Sequence, residues 1–182
     1  MLCFPCTGDD NFRPLAAHNG EAGMDLIDLK ILAALQEDAS LSVAEVAHRA
    51  GLSPTPCWKR IRKLEQSGVL LGRVALVAPE ALGLGLTVFV SVETADHTPQ
   101  WRERFAATVA AMPEVMEFYR MAGEIDYQLR VVVPDMAAFD GFYKRLTEAA
   151  PLKNVTSRFA MERIKVTTAH PLDTAVRLAA RR

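Results

Sequence analysis

Cysteine is scarce in this sequence: three in 182 residues, an odd number, which cannot close a complete disulfide framework and fits a reducing compartment. Long apolar runs are missing too. The longest stretch without a charge, Ala81 to Val92, has twelve residues, short of the ~20 that a membrane-spanning helix needs. The first twenty residues hold Asp9, Asp10 and Arg13 and no continuous apolar segment, so no secretory signal is expected. No charge of one sign dominates: 21 Lys and Arg stand against 22 Asp and Glu. That excludes a chain that holds nucleic acid by bulk charge alone. Catalytic signatures are equally lacking, with no G-x-S-x-G, H-E-x-x-H, P-loop or G-x-G-x-x-G, and the four histidines (18, 48, 97 and 170) are scattered. Gly83-Leu84-Gly85 precedes a strand pattern and so is no dinucleotide loop. A cytoplasmic protein without enzymatic activity, metal or cofactor, and with no membrane partner, is expected.

What is present is ordinary globular composition, half hydrophobic and 24% charged, with charge that varies along the chain. Residues 1–23 carry a net charge of −2, residues 24–78 +1, residues 79–167 −2 and residues 168–182 +2. Basic charge concentrates in Ser53 to Ser67, where Lys59, Arg60, Arg62 and Lys63 face the single acid Glu65. Residues 1–23 show no periodicity and read as a mobile arm. Met24 opens a clean helical pattern, which a misassigned upstream start would explain. Cys3 and Cys6 form a lone C-x-x-C without the second pair of ligands that a metal site requires.

Apolar residues at Leu26, Ile27, Ile31, Leu32 and Leu35 predict a first helix ending near Glu37. Ser42 with Glu45 three residues on is a capping-box signature for a short second helix that Gly51 closes. Ser53 caps a third helix, with Pro54 at its first position and its end at Gly68. Val69 to Pro79 reads as a β-hairpin around Gly72 and Arg73. This order is that of a winged helix-turn-helix. On the third helix Cys57, Ile61 and Leu64 share the face that packs inward, while Thr55, Lys59, Arg62 and Gln66 lie opposite, flanked by Trp58 and Lys63. Ser53, Thr55, Trp58, Lys59, Arg62 and Lys63 are therefore the candidate contacts to double-stranded DNA. Arg60 lies nearer the buried side, where it could touch a phosphate or pair with an acid.

The second half changes grammar. Leu84–Glu93, Val115–Met121, Tyr127–Val133 and Val155–Thr167 read as strands, and helical spacing occupies Trp101–Met112 and the run opened by Pro134 and Asp135. The order βαββαβ predicts an α+β chain whose second domain is ferredoxin-like, one antiparallel sheet with both helices on one face. A second copy could cover the other face, so a homodimer at least is expected. The divisions are 1–23 arm, 24–79 DNA-binding domain, 80–168 ferredoxin-like domain and 169–182 tail.

These residues resemble the Lrp/AsnC family of bacterial transcription regulators over about residues 25–168. The likeness rests on Asp25-x-x-Asp28, Ile31-Leu32, Gly51-Leu52-Ser53, Arg60-Ile61, Leu64-Glu65, Gly68, Leu82-Gly83 and Gly123-x-x-Asp126-Tyr127. Within the family, Thr55 to Arg60, Met121 to Glu124 and Phe159 to Glu162 are similar to the branch that responds to cysteine and controls its detoxification. The resemblance implies a second domain, often called RAM, that dimerises, assembles to tetramers or octamers and binds a small amino acid, here cysteine, between dimers. The turn Gly123 to Tyr127 corresponds to the family's effector loop, written G-D-x-D-Y, and Glu124 stands where that pattern has Asp. An amino-acid site needs an acceptor for the ammonium, donors for the carboxylate and room for the side chain. The candidates are Met121, Gly123, Glu124, Asp126 and Tyr127, with hydroxyls from Thr156 and Ser157. Asp126 could instead serve loop N–H groups, and Arg158 stands where the branch carries a small residue. Two other readings compete: a ligand-blind architectural DNA-binding protein, and a metal or redox sensor using Cys3, Cys6 and Cys57.

Overall fold

The computed structural model describes residues 24–172; the expectations for the arm 1–23, including Cys3 and Cys6, and for tail residues beyond 172 lie outside the described residues. These residues form two compact units, one comprising 24–76 with 164–172 and the other Val77–Arg163. Among them no helix is long and apolar enough to cross a membrane.

The first unit holds α1 (Leu26–Glu37), α2 (Val43–Ala50) and α3 (Pro54–Gln66). Asp25 caps α1, accepting from the Ile27 and Asp28 N–H groups at 2.9 Å each, while the Asp28 carboxylate accepts from the Asp25 N–H at 3.2 Å. Orphan donors of the first turn are thereby satisfied from both sides. Ser42 and Glu45 make the same reciprocal pair at α2, and Gly51, at φ 73°, closes it in the left-handed region that glycine tolerates. Ser53 departs from expectation: its side chain makes no capping bond to α3. Pro56 occupies the third helical position and has no N–H to donate, and Pro54 removes another donor. The three helices close over Ile31, Leu35, Val46, Ala47, Cys57, Ile61 and Leu64, all buried.

One further interaction holds α3 against α1. Arg60 Nη1 donates to Asp28 Oδ1 and to Asp25 Oδ2, each at 2.7 Å. Asp28 is 3% exposed, so a carboxylate taken from water is matched by a guanidinium on another helix. Both Asp25 and Asp28 belong to the α1 capping box, which therefore serves two helices at once.

The hairpin expected over Val69–Pro79 is not formed. Leu70 donates its N–H to the Leu64 carbonyl at 3.0 Å, folding the chain back at the end of α3. Residues 71–78 then run without a ladder partner to a 3₁₀ turn at Pro79–Leu82. No strand precedes or follows Gly72, so neither arm of a hairpin is present to form a ladder. Leu71, Val74, Leu76 and Val77 remain 60–78% exposed. Residues 164–172, expected to belong largely to the sheet domain, run with the helical unit instead: His170 and Gln36 exchange hydrogen bonds at 2.7 and 3.2 Å, and Leu172 packs on its core.

The second unit contains β1 (Leu86–Glu93), α4 (Pro99–Ala110), β2 (Val115–Arg120), β3 (Tyr127–Val133), α5 (Met136–Ala149) and β4 (Asn154–Phe159). The strand order is β2-β3-β1-β4 and every pair is antiparallel, the ferredoxin-like arrangement expected. Val88, Val90 and Val92 of β1 with Leu129, Val131 and Val133 of β3 pack against Phe105, Val109, Phe142 and Leu146 of the helices. Alternation puts Phe89, Ser91, Gln128 and Arg130 on the opposite face. β4 is shorter than the expected Val155–Thr167. It pairs only with β1, and after the Ala160 N–H bonds the Thr87 carbonyl at 2.9 Å the chain passes the start of β1 and has no neighbour to ladder with.

Two outcomes follow from the Arg60 clasp. Arg60→Ala, which strands the buried Asp28 carboxylate, should cost about 1–3 kcal/mol in urea unfolding, with Arg60→Lys recovering part; an unchanged midpoint would show that the pairing is inconsequential. The Asp28 N–H, followed by Arg60, holds the Asp25 carboxyl below its ordinary value. Its contribution is complete at neutral pH and fades as pH falls through the lowered value, so stability should decline below about pH 4. Asp25→Asn, which keeps the cap, should flatten that acid limb.

Candidate DNA-binding helix and effector turn

The helix α3 has two faces of different chemistry. Cys57 and Ile61 are at most 4% exposed, and Leu64 lies with them in the core, so the opposite side has nowhere to turn but outward. Ser53, Thr55, Trp58, Lys59, Arg62 and Lys63 are all exposed. Trp58 keeps 49% of its surface in solvent, an unusual exposure for a large aromatic, and the Arg62 guanidinium carbon lies 5.6 Å from its ring centroid. Arg62 also approaches Glu65 at 3.4 Å. It is thus held by a ring and a carboxylate, both exchangeable for a stronger acceptor. Arg60 faces inward and is consumed by the clasp, leaving Lys59, Arg62 and Lys63 as the outward cations of this helix. Burial pushes the Cys57 thiol up, away from the thiolate a redox switch needs.

The turn between β2 and β3 is built around Asp126. Its backbone closes the loop, with the Asp126 carbonyl accepting from the Met121 N–H at 2.8 Å and the Asp126 N–H donating to the Val92 carbonyl at 2.9 Å. Its carboxylate accepts from the Thr94 N–H at 2.8 Å through Oδ2, and Oδ1 lies 3.6 Å from His97 Nδ1. The role of serving loop N–H groups is therefore realised, and one oxygen still faces outward toward His97. Thr94 and His97 were not legible as partners, since 32 residues separate Thr94 from Asp126. Gly123 stands at φ 130° with no atom within 4 Å of where a Cβ would lie, a conformation open to glycine in an uncrowded turn. Met121 and Glu124 are exposed.

Tyr127 sits differently. It is 5% exposed and packs with Phe105 and Phe118 at centroid separations of 5.2 and 5.4 Å, so its ring is core and only its hydroxyl end could meet a ligand. Thr156 and Ser157 are not brought to the turn within one chain. They lie on β4, an edge strand that β1 separates from β3. Register then divides the two: Thr156 is opposite Ser91 on the open face, while Ser157 is opposite Val90 on the helix face, its hydroxyl buried without a hydrogen-bond partner among the described residues. Arg158 lies on the open face and donates to the Ser91 hydroxyl at 2.9 Å, which in turn donates to Gln128 at 2.9 Å.

Comparison with known proteins gives matches over both units. The Lrp/AsnC ligand binding domain matches residues 87–170, and a winged helix-turn-helix DNA-binding domain matches residues 24–70. The DNA-binding transcriptional activator DecR of Escherichia coli (strain K12) is 52% identical over 151 residues, covering 82% of this chain and 99% of that protein. Among solved structures, an AsnC family transcriptional regulator from Agrobacterium tumefaciens is 54% identical with a TM-score of 0.80, covering 83% of this chain and 99% of its own. A transcriptional regulator from Neisseria meningitidis in complex with L-methionine is 37% identical with a TM-score of 0.79, covering 84% and 99%.

The geometry of the turn makes Asp126 a structural acid first. Asp126→Ala should lower stability by roughly 0.5–1.5 kcal/mol in the absence of any ligand, read as a reduced thermal midpoint, whereas Asp126→Asn keeps an acceptor for the Thr94 N–H and should lose less. Equal loss in the two variants would contradict that role.

Proposed function

The chain belongs to the Lrp/AsnC family of bacterial DNA-binding transcription regulators, and from that premise we propose that it is a sequence-specific regulator of amino-acid metabolism whose DNA binding a small amino acid, cysteine, modulates. The observation that carries the DNA half is the two-faced α3: Thr55, Trp58, Lys59, Arg62 and Lys63 exposed on a helix whose other side is core, with Ser53 exposed at its N-terminal cap. In a dimer, two such helices address half-sites of a pseudo-palindrome about one helical turn or a multiple apart. Lys59, Arg62 and Thr55 reach base edges, and Ser53, Trp58 and Lys63 contact the flanks and backbone. The protein acts in the cytoplasm, where its DNA is.

The dimer rests on the open sheet face. Phe89 and Tyr119 are 40% and 53% exposed there, beside the Arg158–Ser91–Gln128 chain, and a second copy would cover both. Dimers associate further to tetramers or octamers, and the effector binds between them against Met121, Gly123, Glu124 and Asp126, with the Tyr127 hydroxyl behind the turn and the β4 hydroxyl of Thr156 as a further polar group; the Ser157 hydroxyl, enclosed on the helix face, stays outside the site. Because β4 and the turn stand on different strands of the sheet, a site using Thr156 as well as the turn draws on more than one copy. Cysteine is favoured by the likeness of Thr55–Arg60, Met121–Glu124 and Phe159–Glu162 to the cysteine-responsive branch. Binding that differs between assembly states shifts the DNA-competent population.

A duplex enriched from a random library by the full-length protein tests the DNA assignment. Arg62→Ala and Lys59→Ala should each weaken its binding by about 1–3 kcal/mol for every base edge no longer reached, with unfolding midpoints unchanged because both side chains are exposed. Wild-type affinity in both variants would remove α3 from the interface. A thermal-shift screen of the twenty amino acids tests the effector, since a ligand specific for the native state raises its midpoint. Cysteine should give the largest shift; a larger one with another amino acid would keep the regulator and discard cysteine.

A further inference from the structure

Among the described residues Arg62 alone of the outward cations on α3 is in an ion pair, and it is held from two sides by its own helix. One turn toward the N-terminus lies the Trp58 ring, its centroid 5.6 Å from the guanidinium carbon. One turn toward the C-terminus, the Glu65 carboxylate accepts from Arg62 Nη1 at 3.4 Å. These are the spacings at which side chains meet on a helix surface, so both contacts are made within α3 and move with it. The Arg60 clasp fixes α3 in turn. Arg62 still keeps 60% of its side chain in solvent. A guanidinium presents several N–H donors in one planar fork, and a ring against it with one carboxylate beside it leaves most of that fork free. Trp58 itself stays exposed although the core side of the helix is filled by Cys57, Ile61 and Leu64, so its ring is available to Arg62 rather than to the core.

We propose that Trp58 and Glu65 are positioning residues that set the sequence selectivity of DNA binding by holding Arg62 for a base edge. The inference rests on the reading of α3 as the DNA-binding helix and adds how one of its cations discriminates. An unrestrained arginine reaches phosphates on any sequence and base edges on the right one, and it loses rotamer freedom in either case. Arg62 starts from a restrained position. On a matching sequence its fork meets the base edge from that position, as a planar bidentate donor, and keeps both neighbours. On a mismatched sequence it has to swing toward a phosphate and forfeits them. The two neighbours therefore weaken binding to wrong sequences more than to the right one. Glu65 does so even though its negative charge, near the DNA backbone, lowers the affinity for every duplex.

Anisotropy titrations of the full-length protein with two labelled duplexes, the library-enriched one and a shuffled one of the same length and composition, test this at one fixed salt concentration. The quantity read is the ratio of the two dissociation constants. Trp58→Ala should reduce that ratio about threefold or more. Trp58→Phe, which keeps a ring against the guanidinium, should hold it within about twofold of wild type. Glu65→Gln should tighten binding to both duplexes and still reduce the ratio about twofold. In the Arg62→Ala background neither Trp58→Ala nor Glu65→Gln should change the ratio further, because no guanidinium is left to hold. All three side chains are exposed, so the variants fold, which thermal midpoints near that of the wild type verify. A wild-type ratio in both Trp58→Ala and Glu65→Gln, with Arg62→Ala lowering it, would overturn the proposal. So would a Trp58→Ala effect of equal size with and without Arg62, which would make Trp58 a reader of DNA in its own right. Wild-type affinity of Arg62→Ala for both duplexes would instead remove Arg62 from the DNA interface, and with it the reading on which the proposal stands.

Discussion

A single guanidinium settles how the DNA-binding half is put together. Arg60 is on the helix that carries the outward cations, yet it turns inward and spans two carboxylates of the α1 capping box, one of them buried. Charged groups out of water tolerate little variation in geometry, because a shift of α3 would leave Asp28 desolvated and unpaired. Apolar packing such as that of Cys57, Ile61 and Leu64 holds the helix in place but would permit sliding. The ion pair removes that freedom. What remains exposed on α3 then points outward, with Arg62 and Trp58, four residues apart on one helix face, in contact there.

In the second unit the comparable constraint is the alternation of the sheet. Val88, Val90 and Val92 of β1 with Leu129, Val131 and Val133 of β3 require the helices on one side, which leaves the other face with Phe89, Tyr119 and a polar chain that a lone subunit keeps in water. The same alternation decides what Thr156 and Ser157 can do. Adjacent in sequence, they are on opposite faces, so one hydroxyl is available to an outside partner and the other is enclosed. A turn acid such as Asp126 is likewise committed first to the backbone it organises.

Much of this was legible in the residues. Period 3.6 with its caps marks the three N-terminal helices, and period 2 with turn residues marks all four strands, because local physics decides both. The two-faced character of α3 follows from spacing alone. What failed did so for nonlocal reasons. Val69–Pro79 has the composition of a hairpin but no returning strand, and β4 ends where its only neighbour begins. Ser53 has the identity of a cap, but the prolines that mark the helix start also remove donors from it. The pairing of Thr94 with Asp126, and of Arg60 with Asp25 and Asp28, depends on residues more than thirty positions apart, which only the tertiary fold brings together.

We propose that amino-acid binding and DNA binding are coupled in this protein. Anisotropy titrations of a labelled, library-enriched duplex with the full-length protein, at one fixed salt concentration and at increasing L-cysteine, measure that coupling directly. The account predicts a midpoint that moves with cysteine and saturates, and a duplex that changes the affinity for cysteine by the same factor. Superimposable curves at every cysteine concentration would contradict it and leave a DNA-binding protein that does not respond to cysteine.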